Sequence, residues 1–379
     1  IGGTPMNNKY DIIIIGGGVN GCAAAYYLSK QGQKVLLLEK DRIGSKASNA
    51  AAGMLGAQVE LTEAGPLFEL ARTSRSKFPS LQKELKEISG IDIELVQKGM
   101  LKVAKTDDEV THLRQVIKAQ QNLGEDTSWL SKEELLEKEK SLSNNLLGAM
   151  NIPKDGHVNP IQLTAAFCKS ATVLGAEVRE YVEVYDFNKE GSKITSVVTN
   201  EGEFYAEHVI VTTGAWSKRI LSQSGLTIDA YPVKGECISV IADKPIISST
   251  IFSTGCYIVP KSGNRLIIGA TMIPHTFSEK VSVGGIFSLM EKATALIPEI
   301  AQTTFEKSWA GIRPQTGDEL PYLGSHPQFS NMIIATGHYR NGILLAPITG
   351  ETIANTVLGA QLPNYLEAFS LNRLIVSTT

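Results

Sequence analysis

Four unbroken apolar runs punctuate the chain: IIII at 12–15, VLLL at 35–38, VIV at 209–211 and MIIA at 332–335. Runs this short and continuous belong to strands covered on both faces, as in a parallel sheet between layers of helices. The segment after each run adds detail. The first leads into Gly16-Gly17-Gly18-Val19-Asn20-Gly21 and an alanine-rich stretch that predicts a helix stopping at Gly32. The second ends in Glu39. The third runs into Thr213-Gly214-Ala215, and the fourth into Thr336-Gly337, a loop and a helix beginning near Asn341-Gly342. Strands from 11–15, 209–213 and 331–336 in one sheet make the domain that holds them discontinuous.

Between these runs the period changes. Residues 93–103 and 231–241 alternate as half-buried antiparallel strands do. Residues 255–260 and 266–271 flank Lys261-Ser262-Gly263-Asn264, a hairpin turn by composition. Capping boxes at Thr106-Asp107-Asp108-Glu109 and Ser131-Lys132-Glu133-Glu134 start two short helices, and Asn159-Pro160 starts a longer one ending at Gly175. The expected architecture is α/β. A Rossmann-like dinucleotide-binding domain draws on 6–88, 155–230 and 305–379, and a second domain, 89–154 and 231–304, carries a mixed or antiparallel sheet over the ligand. Residues 1–5 are expected to be an added leader, with Met6 the natural start.

Composition narrows the partners. Lys and Arg total 36 against 39 Asp and Glu, a net charge of −3 with no basic block, which speaks against nucleic acid. No apolar run nears the ~18 residues of a membrane span, and no signal-peptide pattern opens the chain. Cys22, Cys168, Cys237 and Cys256 form no CxxC motif. That points to reduced thiols in the cytoplasm and away from a disulfide or zinc centre.

The first motif has explicit chemistry. Gly16 permits a tight turn, Gly18 lets the backbone approach a phosphate, and Gly21 lets the helix lie close to the strand. Glu39, 18 residues beyond Gly21, can accept hydrogen bonds from ribose hydroxyls and would repel a 2′-phosphate. The fingerprint alone leaves FAD and NAD open. Past Glu39, SNAAAGMLGA (48–57) offers Ser48 and Asn49 as helix caps and little side-chain bulk, read either as a close-packed helix or as more backbone held near a flat ligand. A helix N-terminus near Gly342 carries free N–H donors and positive partial charge, which suits an anionic reduced flavin.

Taken together, GGGVNG, SNAAAGMLGA, DGHVNP, PVKGECISV, GCYIVPKSG, GATM, WAGIRP and GHYRNGILLAPITG make the chain resemble the D-amino-acid oxidase superfamily. More closely, it resembles the bacterial glycine oxidases, from about Tyr10 to Phe369. The resemblance implies non-covalent FAD and oxidation of glycine, with sarcosine and small D-amino acids also accepted. It implies an imine product giving glyoxylate and ammonia, reoxidation by O2 to H2O2, a role in the thiazole branch of thiamine synthesis, and a homotetramer. Val19, Glu39, Lys40, Ala47, Ser48, Ala52, Gly53, Met54 and Val184 would touch FAD, as would His338, Tyr339, Arg340, Asn341, Gly342, Ile343 and Leu344. Gly16, Gly18, Asn20, Gly21 and Gly214 complete the cofactor set. Tyr257, Arg313 and Arg340 would touch substrate, with Met272 lining the pocket.

The residue chemistry agrees with these roles without requiring them. An amino acid offers its carboxylate as the one strong fixed handle, and a guanidinium meets it bidentately. Arg313 could instead be a surface arginine paired with an acid, Tyr257 a core tyrosine and Met272 a core methionine, while Arg340 could serve substrate or flavin. Strand alternation would put Gly255 beside Tyr257, either as pocket space or as a bulge. No general base is required if glycine binds with a neutral amine and its Cα gives a hydride to flavin N5. His338 is read as a loop residue at the cofactor and His112 as solvent-facing. Three rivals remain open. One is a sarcosine-oxidase-type enzyme, whose covalent flavin would need a cysteine after Cys256, where none occurs. The others are a broader D-amino-acid oxidase and a silent dinucleotide-binding protein.

Overall fold

The computed structural model describes residues 8–376, so the expected leader and the start at Met6 lie outside the described residues. All four apolar runs fall side by side in one eight-stranded sheet. Its order is Tyr322–Ser325, Met332–Thr336, Gly202–Val211, Lys9–Ile15, Val35–Glu39, Glu177–Glu180. Along these six strands every pairing is parallel except that of Tyr322–Ser325, and the other two, Lys193–Thr199 and Val184–Glu190, attach antiparallel beside Gly202–Val211. Alternation sorts the first strand between two cores. Ile12 and Ile14 pack with Ala23, Ala24, Phe167 and Leu345 from helices Val19–Lys30, Pro160–Val173 and Gly342–Val357. Ile13 and Ile15 pack with Leu36, Phe187, Phe204 and Ile220 on the other face.

The second sheet has nine strands and is mixed. Thr250–Ser253 pairs parallel with Met100–Ala104, and the other pairings are antiparallel. Cys256–Lys261 and Arg265–Gly269 form the hairpin read from Lys261-Ser262-Gly263-Asn264. The fold class is therefore the expected one, a Rossmann-like parallel sheet joined to a mixed sheet.

Several details differ from expectation. The strand Thr304–Thr316 pairs along the whole of Ala230–Ile241, so Arg313 belongs to the second sheet although a boundary at 304/305 would assign it to the first. Its backbone found a long antiparallel partner, which no local signal in residues 304–316 announces. Of 93–103 only Met100–Ala104 is a strand, because Glu94 and Gly99 take left-handed conformations (φ 55° and 77°) that break the extended run. Ala230–Ile241 is buried on nearly every position rather than alternately. Ile238 and Val240 lie under helix Val283–Leu296, while Gly235 and Cys237 turn to a cleft. The box at Ser131 forms completely, but Glu109 reaches past Thr106 to the Lys105 amide.

Candidate active site

A long cleft runs between the two sheets, lined from Gly16, Gly18 and Glu39 at one end to Tyr257, Arg313 and Arg340 at the other. At the first end, glycine is required by close approach. A Cβ on Gly16 (φ 104°) would meet the Thr212 carbonyl at 2.5 Å, and one on Gly21 would run into the Gly16 carbonyl oxygen. Thr212 locks this turn to the adjacent strand by donating to the carbonyls of Ile15 and Gly16 (3.0 and 2.9 Å). Glu39 accepts from the amides of Gly17 (2.7 Å) and Asp41 (2.9 Å), which fixes its carboxylate at the cleft wall. Ser48 does not cap the helix after it. It lies inside the short helix Ala47–Ala50, and its hydroxyl accepts from the Val19 amide (2.9 Å), so it caps the glycine-motif helix from across the cleft. Asn49 makes no side-chain cap either.

At the other end, Arg313 is half-buried and donates to the Thr271 carbonyl (3.2 Å). No carboxylate pairs with it among the described residues, so the reading as a surface ion pair is not the one realised. Its guanidinium occupies the space a side chain at position 235 would need, which makes Gly235 part of its seat. Arg340 differs: its Nε and Nη2 donate to Glu60 Oε1 at 3.2 and 2.9 Å. Burial works against the Arg340 charge, but Glu60 outweighs it and holds the pKa above its ordinary value. Tyr257 is buried with its hydroxyl 3.6 Å from Cys237 Sγ. Burial pushes that hydroxyl well up against the pull of Arg313 and Arg340, so it stays a neutral donor.

Most expected cofactor residues line the cleft: Asn20, Lys40, Ala47, Ala52, Gly53, Met54 and Val184, with Gly214, His338, Tyr339, Gly342 and Ile343. Val19 and Ser48 join them. Gly21, Asn341 and Leu344 do not. Gly21 sits behind the turn, Asn341 stands at the N-cap of helix Gly342–Val357, and Leu344 is buried with its carbonyl accepting from Ser74. Met272 is neither core nor lining. It is 54% exposed beside the cleft, its sulfur accepting from the Tyr339 hydroxyl (3.4 Å) and Arg340 Nη1 (3.6 Å). Gly255 is an exposed turn residue (φ 73°) facing Lys292, so it contributes no pocket space. His338 is buried, bonds Thr349 Oγ1 through Nε2 (3.0 Å), and burial lowers its pKa to about 4. His112 is exposed.

Sequence reasoning missed Glu60, Trp216, Gly235 and Cys237, all of which line the cleft. Lys40 Nζ lies 4.9 Å from the Trp216 ring, and burial raises the Cys237 thiol pKa despite the nearby hydroxyl and arginines. Nothing in the local pattern marks these positions, since each reaches the cleft only through strand pairing or a short helix. The unpartnered polar atoms, an acceptor and a hydroxyl, fit a dinucleotide. Asn20 Oδ1 and Ser45 Oγ are buried at the cleft without a hydrogen-bond partner, beside a glycine turn and a helix N-terminus. Among the described residues no cluster could hold a metal ion, and no helix is long and apolar enough to cross a membrane.

The chain is similar to glycine oxidase of Geobacillus kaustophilus, 47% identical over 372 residues that cover 98% of each chain. The crystal structure of that enzyme matches with a TM-score of 0.94, covering 96% of this chain and 99% of that one. The bifunctional protein ThiO/ThiG of a Synechocystis strain is 31% identical over 380 residues, 98% of this chain and 55% of its own length. The model of the FAD dependent oxidoreductase (DAO) family matches residues 11–356. With the glycine turn, the fixed Glu39 carboxylate and the two-sheet cleft already in place, that match settles the class: the chain belongs to the FAD-dependent oxidoreductase (DAO) family.

Proposed function

We propose that this protein is a glycine oxidase: glycine, O2 and water become glyoxylate, ammonia and H2O2, with sarcosine and small D-amino acids as further substrates. The observation that carries the reading is Arg313, a guanidinium in the cleft with a single backbone acceptor and no acidic partner among the described residues. Such a group is poised for an incoming carboxylate. Gly16, Gly18, Glu39, Ser48 and the Gly342 helix start would hold FAD, which would supply a hydride acceptor.

The chain's own residues position and exclude. Arg313 forks the substrate carboxylate, and the neutral Tyr257 hydroxyl adds a donor. Arg340, already neutralised by Glu60, directs rather than clamps. Glycine binds with its amine neutral, the ammonium proton having been left to bulk water, so the nitrogen lone pair is in place to drive loss of a hydride from Cα. Burial lowers His338 to about 4, which makes it a weak base, and its Nε2 is committed to Thr349, so no protein base is invoked.

The FAD is bound non-covalently in this reading. Cys237 is the cysteine lining the cleft, and burial holds its thiol protonated and unreactive. A homotetramer in the cytoplasm supplying the thiazole branch of thiamine synthesis follows from the resemblance, and the four free thiols are compatible with that compartment. The test is H2O2 production across glycine, sarcosine, D-alanine and D-proline by the yellow holoenzyme, followed by acid precipitation. The reading requires glycine turnover and all colour in the supernatant. No peroxide with any of the four ends it, and colour in the pellet ends non-covalent binding.

A further inference from the structure

Arg340 is aimed by Glu60, and Glu60 is the last residue of a four-residue helix, Ala57–Glu60. A helix of one turn has no stability of its own, and each amide at its start needs an outside acceptor. Here those contacts come from buried side chains. Asp155, 0% exposed, accepts from the amides of Gln58 (3.1 Å) and Val59 (2.9 Å) through Oδ2. Its Oδ1 accepts from Arg75 Nη1 at 2.6 Å. Arg75, also buried, donates from the same nitrogen to Gln58 Oε1 (2.7 Å) and from Nη2 to Glu125 (2.8 Å). The far end of the turn is tied by Lys102, whose ammonium donates to the Val59 carbonyl (2.9 Å).

The same long helix, Pro66–Ser89, contacts the elements that carry both partners of the Glu60–Arg340 pair. Arg75 grips the short helix that carries Glu60. Its neighbour Ser74 donates to the Leu344 carbonyl (2.6 Å) in the first turn of the helix just after Arg340. Adjacent residues on one rigid element therefore set the registers of carboxylate and guanidinium. A buried acid is a costly way to fill space: burial pushes Asp155 up to about 6 even though Arg75 pulls the other way.

Resting on the amino-acid oxidase reading, we propose that Asp155, bridged by Arg75, is a positioning residue for substrate binding: it fixes helix Ala57–Glu60 and through Glu60 the direction of Arg340. The substitution that isolates this is Asp155→Asn. An amide has one acceptor oxygen, so either the two backbone amides or Arg75 must face an NH2 group. Glu125→Gln is the control. It removes a carboxylate from the same buried network, on Arg75's other nitrogen, without touching helix Ala57–Glu60.

Both variants are assayed as holoenzymes for glycine KM and kcat, and by titration with acetate followed through the flavin absorbance. Asp155→Asn is expected to raise glycine KM and acetate Kd together by about three- to thirtyfold, with kcat changed less than about threefold. Glu125→Gln should move both constants less than about twofold while lowering Tm comparably. If Asp155→Asn does not fold, Arg75→Lys carries the test, because a point charge cannot span Gln58, Asp155 and Glu125, and it should show the same split at smaller size. Equal shifts in the Asp155 and Glu125 variants, or unchanged KM in folded Asp155→Asn or Arg75→Lys, overturn the positioning role while wild-type turnover of glycine still stands. A wild type that makes no peroxide from glycine overturns the oxidase reading itself and the positioning role with it.

Discussion

Arg313→Ala is the decisive perturbation of the proposed site. Glycine has no side chain, so its carboxylate must supply most of both affinity and orientation. In the structure Arg313 spends one hydrogen bond on the Thr271 carbonyl and meets no acid among the described residues, so its charge and remaining donors are available. A bidentate guanidinium–carboxylate pair in a water-poor cleft is worth roughly 2–4 kcal/mol, somewhat above a single charged hydrogen bond. Every 1.4 kcal/mol is about tenfold, so glycine KM should rise by roughly thirtyfold to a thousandfold. A smaller fall in kcat should accompany it, from a misaligned Cα–H bond. Arg313→Lys should recover only part, since an ammonium cannot reproduce the planar fork. The assay is initial-rate peroxide production against glycine concentration, with FAD affinity followed by flavin fluorescence. FAD binding should stay near wild type, because Arg313 stands on the second sheet, away from the glycine turn. A glycine KM within about twofold of wild type refutes the assignment. Arg340 would then have to take the carboxylate despite its existing bond to Glu60.

Gly235→Ala tests the same seat from the other side: its Cβ collides with the Arg313 guanidinium, so KM should rise about tenfold while FAD affinity holds, and unchanged KM would show that the arginine moves freely. Glu39→Ala removes the acceptor of two backbone amides and of the expected ribose contact, so FAD affinity in fluorescence titration should weaken about tenfold to a hundredfold, with little change in turnover at saturating FAD. Gly21→Val should give colourless protein, since its Cβ runs into the Gly16 carbonyl; a yellow product with normal affinity would deny the close packing. Burial lowers His157 to about 3 and His326 and His338 to about 4, so in the folded chain all three stay neutral where the unfolded chain protonates them, near 6.5. Unfolding then takes up protons and stability is lost as pH falls from 6.5 toward 4; Asp155, raised to about 6, opposes this but is outnumbered, and a Tm unchanged over that range would contradict the buried neutral imidazoles.

Features that depend on neighbours along the chain were legible before any folding. Continuous apolar runs predicted strands that are covered on both faces, and Gly16, Gly18 and Gly21 carry their meaning in their spacing, because a turn between strand and helix is a local event. The hairpin at Lys261-Ser262-Gly263-Asn264 and the caps at Ser131 and Asn159 are local in the same sense, and each formed. Folding alone decides which distant groups meet. Ser48 caps a helix that begins 29 residues earlier, Glu60 pairs with Arg340 across 280 residues, and Arg313 joins the second sheet because residues 304–316 find Ala230–Ile241. Gly255 and residues 93–99 went astray for the converse reason. Period-two alternation places a residue on a face only where the chain is extended, and left-handed Glu94, Gly99 and Gly255 interrupt it. An arginine's charge is fixed by its chemistry, but whether it is free for a substrate depends on the acids that folding brings beside it: Glu60 for Arg340, and none among the described residues for Arg313.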